Sequence, residues 1–117
     1  MMMIGSVTTD ALHSALTGLS QRSRVTADNI ANIQTPGFLA GRVEFESALR
    51  EAITTGAPAG STTASVSRSL EPTVENGNNV NLDTETVIAT ETGLRYQLAL
   101  RAMGNEFDVM RSAMRTS

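Results

Sequence analysis

The sequence predicts a mainly α chain: two long terminal helices packed as an antiparallel coiled-coil hairpin, with a short helix and a mobile Ser/Thr/Gly-rich loop between them. Three observations predict it. Apolar residues recur at alternating steps of four and three near both ends of the chain. Pro36-Gly37 and the run Glu75-Asn76-Gly77-Asn78-Asn79 punctuate the region between them. That middle region is too poor in large apolar side chains to form a core of its own. At 117 residues, the chain is read as one domain over positions 1–117. It has three Phe, one Tyr and no Trp, so an all-β sandwich or barrel has little to be built from.

The first helix is placed at 7–34. Leu12, Leu16, Leu19, Ser23, Thr26, Ile30 and Ile33 form a heptad stripe interrupted by two polar residues. Ser6, Thr8 and Asp10 are each able to cap its start. Its end is set by Pro36, which pushes Thr35 out of the α region, so the helix is expected to stop near Ile33 or Gln34. Pro36-Gly37 suits the central positions of a type II turn.

Residues 35–81 hold the connection. Phe38 to Gly41 reads as extended or irregular, and Val43 to Ile53 as a short helix with Phe45, Ala48, Leu49, Ala52 and Ile53 on one face. Residues 54–69 are Thr, Ser, Gly, Ala and Pro with one charge and one large aliphatic residue, and are expected to be mobile. Pro72 and the Asn/Gly run at 75–79 are turn chemistry.

The second long helix is placed at 82–115. Asn81 and Asp83 are candidate caps, early acids and the late Arg111 and Arg115 match the macrodipole, and Glu91 and Arg95 form a favourable i,i+4 pair. Its stripe runs Leu82, Thr86, Ala89, Gly93, Tyr96, Leu100, Met103, Phe107, Met110 and Met114. Helices of roughly 27 and 33 residues would be about 40 and 50 Å long. A hairpin of this size buries little by itself. Its packing residues (Leu12, Leu16, Leu19, Ile33, Leu82, Tyr96, Leu100, Met103, Phe107, Met110, Met114) are therefore expected to serve both the partner helix and other subunits.

Composition removes several functions. There is no Cys, so disulfides, thiolate metal sites and cysteine nucleophiles are excluded. Nine Arg, no Lys and 12 acids give a net charge of −3, spread evenly along the sequence, which is no footprint for nucleic acid. No stretch approaches a membrane span, and the start of the sequence has no cleavable leader pattern. His13 with Asp10 gives two ligands without a third, and Glu44/Glu46 and Glu106/Asp108 are i,i+2 pairs whose members diverge on a helix. An ordinary surface role suits all of them. No catalytic residue, metal site, cofactor or small-molecule substrate is assigned.

Asp28, Asn29 and Asn32 are different. They are poor helix formers in the last turns of a helix, and an ordinary cap explains Pro36 and Gly37 but not the asparagines. The segment Ala27-Asp28-Asn29-Ile30-Ala31-Asn32-Ile33-Gln34-Thr35-Pro36-Gly37-Phe38 resembles the N-terminal signature of the bacterial flagellar axial proteins, the rod and hook family, and departs from it at Asp28. The resemblance marks Asn29, Ile30, Ala31, Asn32, Thr35, Pro36, Gly37 and Phe38 as the signature. Further on, Gly77-Asn78-Asn79-Val80-Asn81-Leu82-Asp83-Thr84-Glu85 and Tyr96-Gln97 look like the proximal rod members, with Thr86 departing where a large apolar residue is usual.

This resemblance implies a structural subunit of the basal-body rod, which crosses the cell envelope. It implies export in an unfolded state through the flagellar type III apparatus and helical assembly through paired terminal helices. The partners implied are itself, other rod subunits, the export gate and the membrane-ring or adaptor components, with no membrane insertion. Another proximal rod subunit type, or a cytosolic helical-hairpin export chaperone or adaptor, is the alternative reading.

Overall fold

In a computed structural model, which describes residues 2–116, the chain forms α1 (Met2–Ala31), β1 (Gly41–Glu44), α2 (Glu46–Thr55), β2 (Ser65–Arg68) and α3 (Leu82–Thr116). The two long helices lie antiparallel: the end of α1 meets the start of α3 through Asn29 and Glu85, and Tyr96 packs where Leu19 is buried. The molecule measures 66 × 26 × 14 Å, with a radius of gyration of 17.9 Å. A compact chain of this length would have about 13 Å.

α1 ends at Ala31, before the stop expected at Ile33 or Gln34. After it the backbone tightens into turns, with Ile33 N–H donating to Ile30 O and Thr35 N–H to Asn32 O. The type II turn is present: Phe38 N–H donates to Thr35 O, and Gly37 has φ 74°.

The expected helix at Val43–Ile53 is corrected to Glu46–Thr55. Val43 and Glu44 are instead taken by β1, whose Gly41 and Val43 are buried while Glu44 faces outward. α2 then begins after Phe45, buries Ala52 and closes on Gly56 at φ 79°.

The stretch 54–69, expected to be a mobile loop, is docked. A 3-10 turn at Ala59–Ser61 sits on α1, where Ser14 Oγ donates to Ala59 O (2.9 Å) and Gly60 N–H donates to Asp10 Oδ2 (3.0 Å). Its last residues form β2, antiparallel to β1 with Val43 opposite Val66. Backbone hydrogen bonding offsets the ordering cost that the side chains themselves do not.

The core is small. Leu19, Val43 and Phe45 are buried together, with Ala15, Val25, Leu49, Ala64 and Tyr96 packed around them. Two glycines permit it. A Cβ at Gly18 would lie 2.5 Å from the Phe45 ring, and one at Gly41 would lie 2.8 Å from Val25 Cγ1. Without side chains at these positions, β1 and Phe45 lie directly on α1.

α3 is capped by Asn81, whose Oδ1 accepts from Thr84 N–H at 3.2 Å. Its contact face differs from the expected stripe. Glu85, Thr92 and Ala99 are buried and Ile88, Tyr96 and Met103 half-buried, so α3 is rotated relative to a seam through Leu82 and Leu100. The rotation follows from polarity: the last turns of α1 present Thr26 and Asn29, which face Glu85 and small residues rather than leucines. Arg95 does not form the expected pair with Glu91; it reaches Glu46 at 3.3 Å.

Candidate functional site

The signature asparagines are the centre of a buried polar junction at the base of the hairpin. Asn29 is 1% exposed, and its carboxamide is saturated on both atoms. Nδ2 donates to Gly41 O (3.0 Å) and Glu85 Oε2 (3.0 Å), while Oδ1 accepts from Gly41 N–H (2.8 Å). One side chain thus joins α1, β1 and α3. Glu85, fully buried, also accepts from Arg42 Nη1 at 2.7 Å, and Arg42 extends its other nitrogen to Glu71 at 3.1 Å. Such a pair holds its geometry because both carboxylate oxygens are bonded.

Asn32 acts locally. Its Nδ2 donates to Asp28 O (2.8 Å), satisfying a carbonyl at the helix end, and its Oδ1 accepts from Thr35 Oγ1 (3.0 Å). Its backbone carbonyl is taken by a residue far along the chain. Asn78 Nδ2 donates to Asn32 O (2.9 Å) and Thr35 O (2.8 Å). Asn79 Oδ1 accepts from Ala40 N–H (2.7 Å), and its Nδ2 donates to Ser69 O (3.0 Å). Gly37 N–H donates to Asn76 O at 2.9 Å, so the turn at 35–38 and the turn at 74–78 are clipped to each other. Gly77, at φ 84°, lies against Gly37: a Cβ there would sit 3.3 Å from Gly37 Cα.

A second polar group stands at the waist. Arg22 donates twice to Glu46, at 2.7 Å each, and once to Val43 O, and lies 4.9 Å from the Phe45 ring centroid. The hydrogen bonds from Arg22 hold the Glu46 carboxyl down to about 2, against the opposing pull of burial. The same pairing raises Arg22 above its ordinary value. Arg22 and Asn29, one heptad apart on α1, together occupy the outer edge of β1 at Val43 and Gly41.

The remaining signature residues surround the junction. Ile30 and Phe38 are half-buried, with Arg68 5.5 Å from the Phe38 ring, and Ala31, Thr35, Pro36 and Gly37 are exposed. Of the packing residues, Leu19 is buried, and Leu12, Leu16, Ile33, Tyr96 and Met103 are half-buried. Leu82, Leu100, Phe107, Met110 and Met114 stand exposed within the single chain, as do Leu94 and Leu98 at 64% and 68%. Sequence reasoning gave Arg22 and Arg42 no role, read Glu46 as an ordinary surface acid and Glu85 as an early helix acid within the rod-type motif, and read Asn78-Asn79 as turn chemistry. The signal for the last two is their place in one motif with Glu85. His13 is exposed. Among the described residues no group of three His, Cys, Asp or Glu is placed to hold a metal ion, and no helix is long and apolar enough to cross a membrane.

Comparison with known proteins points the same way as the signature. The family described as "Flagella basal body rod protein" matches residues 10–38. The flagellar basal body rod protein FlgB of Escherichia coli (strain K12) is 30% identical over 122 residues, covering 87% of this chain and 88% of that protein. FlgB of Bacillus subtilis (strain 168) is 29% identical, covering 97% of each. FlgB of Borrelia hermsii is 46% identical over a shorter stretch, 44% of this chain and 38% of its own length.

Proposed function

The chain belongs to the FlgB family of flagellar basal body rod proteins, and from that premise we propose that it builds the proximal rod by burying the outward face of α3 in neighbouring subunits. It is a structural subunit of the basal-body rod, assembling with other rod components. What supports the mode of assembly is a single observation. Leu94, Leu98 and Val109, between 64% and 68% exposed, share the side of α3 turned away from its buried Glu85, Thr92 and Ala99, and Leu100, Phe107 and Met110 stand exposed on other sides of the helix. Apolar area of this extent on one helix favours burial against another chain. Repetition of a non-self-complementary contact by rotation and rise makes a helical tube.

In this reading the buried junction is the rigid part, and the turn at Thr35-Pro36-Gly37 fixes the angle at which the chain leaves α1. The chain passes through the flagellar type III export apparatus and meets the export gate and membrane-ring components at the start of the rod. It carries no catalytic step. Replacing Leu94→Asp with Leu98→Asp tests it. Both positions are exposed, so the isolated chain keeps its fold, while incorporation into purified basal bodies and swimming are lost. Normal rods in that double variant would overturn the mode of assembly.

A further inference from the structure

Asn76 is the one asparagine of the sequence that precedes a glycine. Asparagine is thermolabile because the backbone nitrogen of the following residue attacks its carboxamide, and a residue without a side chain leaves that nitrogen uncrowded. Asn76 is exposed, in a turn that fastens two distant parts of the chain. Its carbonyl accepts from Gly37 N–H at 2.9 Å, joining the turn at 74–78 to the signature turn at 35–38. Both groups that react are occupied in the fold. Gly77 N–H donates to Val74 O at 2.9 Å, and Asn76 Oδ1 accepts from Asn78 N–H at 3.1 Å, the bond of an Asx turn. Gly77 lies on Gly37, where a Cβ would come within 3.3 Å of Gly37 Cα, and Asn78 Nδ2 holds the same turn to Asn32 O and Thr35 O.

We propose that Asn76 is a spontaneous deamidation site protected by the closed clip between these two turns, and that one of its two products unfastens the clip. Gly77 N bonds to Asn76 Cγ and passes its proton through water to the carboxamide nitrogen. The Cγ–N bond of the amide breaks, ammonia leaves, and a five-membered cyclic imide remains. Water then adds to one of the two imide carbonyl carbons, and the bond from that carbon to Gly77 N breaks. Opening at Cγ gives aspartate, whose carboxylate still accepts from Asn78 N–H. Opening at the main-chain carbonyl gives isoaspartate. The carbonyl that bonded Gly37 N–H then becomes a free carboxylate, and the main chain reaches Gly77 through Cβ and Cγ, one carbon longer. That added length moves Gly77 off Gly37 and releases the bond between the turns. Either product also adds a negative charge beside Glu75. The first step needs Gly77 N to leave Val74 O and turn onto Cγ, so its rate follows the fraction of chains in which the clip is open. Deamidation here goes beyond the assembly reading and does not depend on which face of α3 enters the rod.

The test incubates the full-length chain at mildly alkaline pH, in buffer and in unfolding guanidinium chloride, and follows the tryptic peptide 69–95 by fragmentation mass spectrometry. Conversion of Asn76 is expected in both, at least about tenfold slower in buffer, while Asn78, Asn79 and Asn81 in the same peptide stay intact. Asn78→Ala removes the two bonds to Asn32 O and Thr35 O. It should raise the rate in buffer towards the rate in guanidinium, with circular dichroism checking that helix content is kept. The deamidated wild-type chain, separated by anion exchange and returned to buffer, should melt below Asn76→Asp, from which it differs only by its isoaspartate link. An intact Asn76 in both media would overturn the site. Equal or faster conversion in buffer, or an Asn78→Ala rate no higher than wild type, would overturn the protection by the clip. A deamidated chain that melts with Asn76→Asp would overturn the effect on the clip.

Discussion

Asn29 does at one position what three elements need. Its carboxamide satisfies Gly41 on both backbone atoms and one oxygen of the buried Glu85. Asn29→Ala removes the partner of Gly41 N–H and of Glu85 Oε2, with Gly41 O still held by Arg42 Nη1 at 3.0 Å, and is expected to lower unfolding free energy by about 2–3 kcal/mol in urea titration. Gly18 is the complementary case, where the absent side chain matters. Alanine there gains about 1 kcal/mol of helix propensity but meets the Phe45 ring at 2.5 Å. Gly18→Ala is expected to be net destabilising by about 1–2 kcal/mol, and a melting temperature at or above wild type would show that Phe45 yields easily. At this scale the sequence was half legible. Asn29 and Asn32 stood out as costly helix residues, yet their partners did not, because Glu85 lies 56 positions from Asn29 and Asn78 46 positions from Asn32. Local sequence holds no information on such distances.

The elements are held by charge as well as burial. Glu46, at the start of α2, is gripped by Arg22 from α1 and approached by Arg95 from α3. Its folded value of about 2 lies below its ordinary 4.5. A depressed carboxylate stabilises the fold fully above its unfolded value and loses that contribution as pH falls towards the folded one. Thermal melts should therefore weaken between pH 4.5 and about 2, and Glu46→Gln should reduce that acid sensitivity while lowering stability at neutral pH. The turn between α1 and β1 makes a different demand. Gly37 has a positive φ that alanine adopts with strain, so Pro36→Ala with Gly37→Ala is expected to impair rod assembly, scored in purified basal bodies, more than secretion into the medium. Normal rods in that double variant would contradict this role. The long helices and this turn were legible because each has a strong local signal: a heptad stripe, an asparagine cap, a Pro-Gly pair. β1 and β2 were not. Each is four residues long, Ser65–Arg68 has one aliphatic residue, and their pairing depends on α1 side chains closing the edge of β1.

The whole molecule is a 66 Å hairpin whose packed part is a small core and a polar junction, with Leu94, Leu98 and Val109 exposed on the side of α3 turned away from α1. The sequence showed that its two stripes exceed what one hairpin covers. It did not show which face of α3 goes inward, since large apolar residues sit on several faces and the choice is made by Asn29 and Thr26 across the interface. The outcome leaves Leu98 at 68% exposure in the free chain, and burial of that face by neighbours is the central claim. The chain has no cysteine, so Leu98→Cys introduces a unique thiol. Its maleimide labelling rate should be fast in the isolated chain and strongly suppressed in intact purified basal bodies. Equal rates in the two states would mean that the outward face of α3 stays open to solvent in the rod, and assembly would have to proceed through another surface.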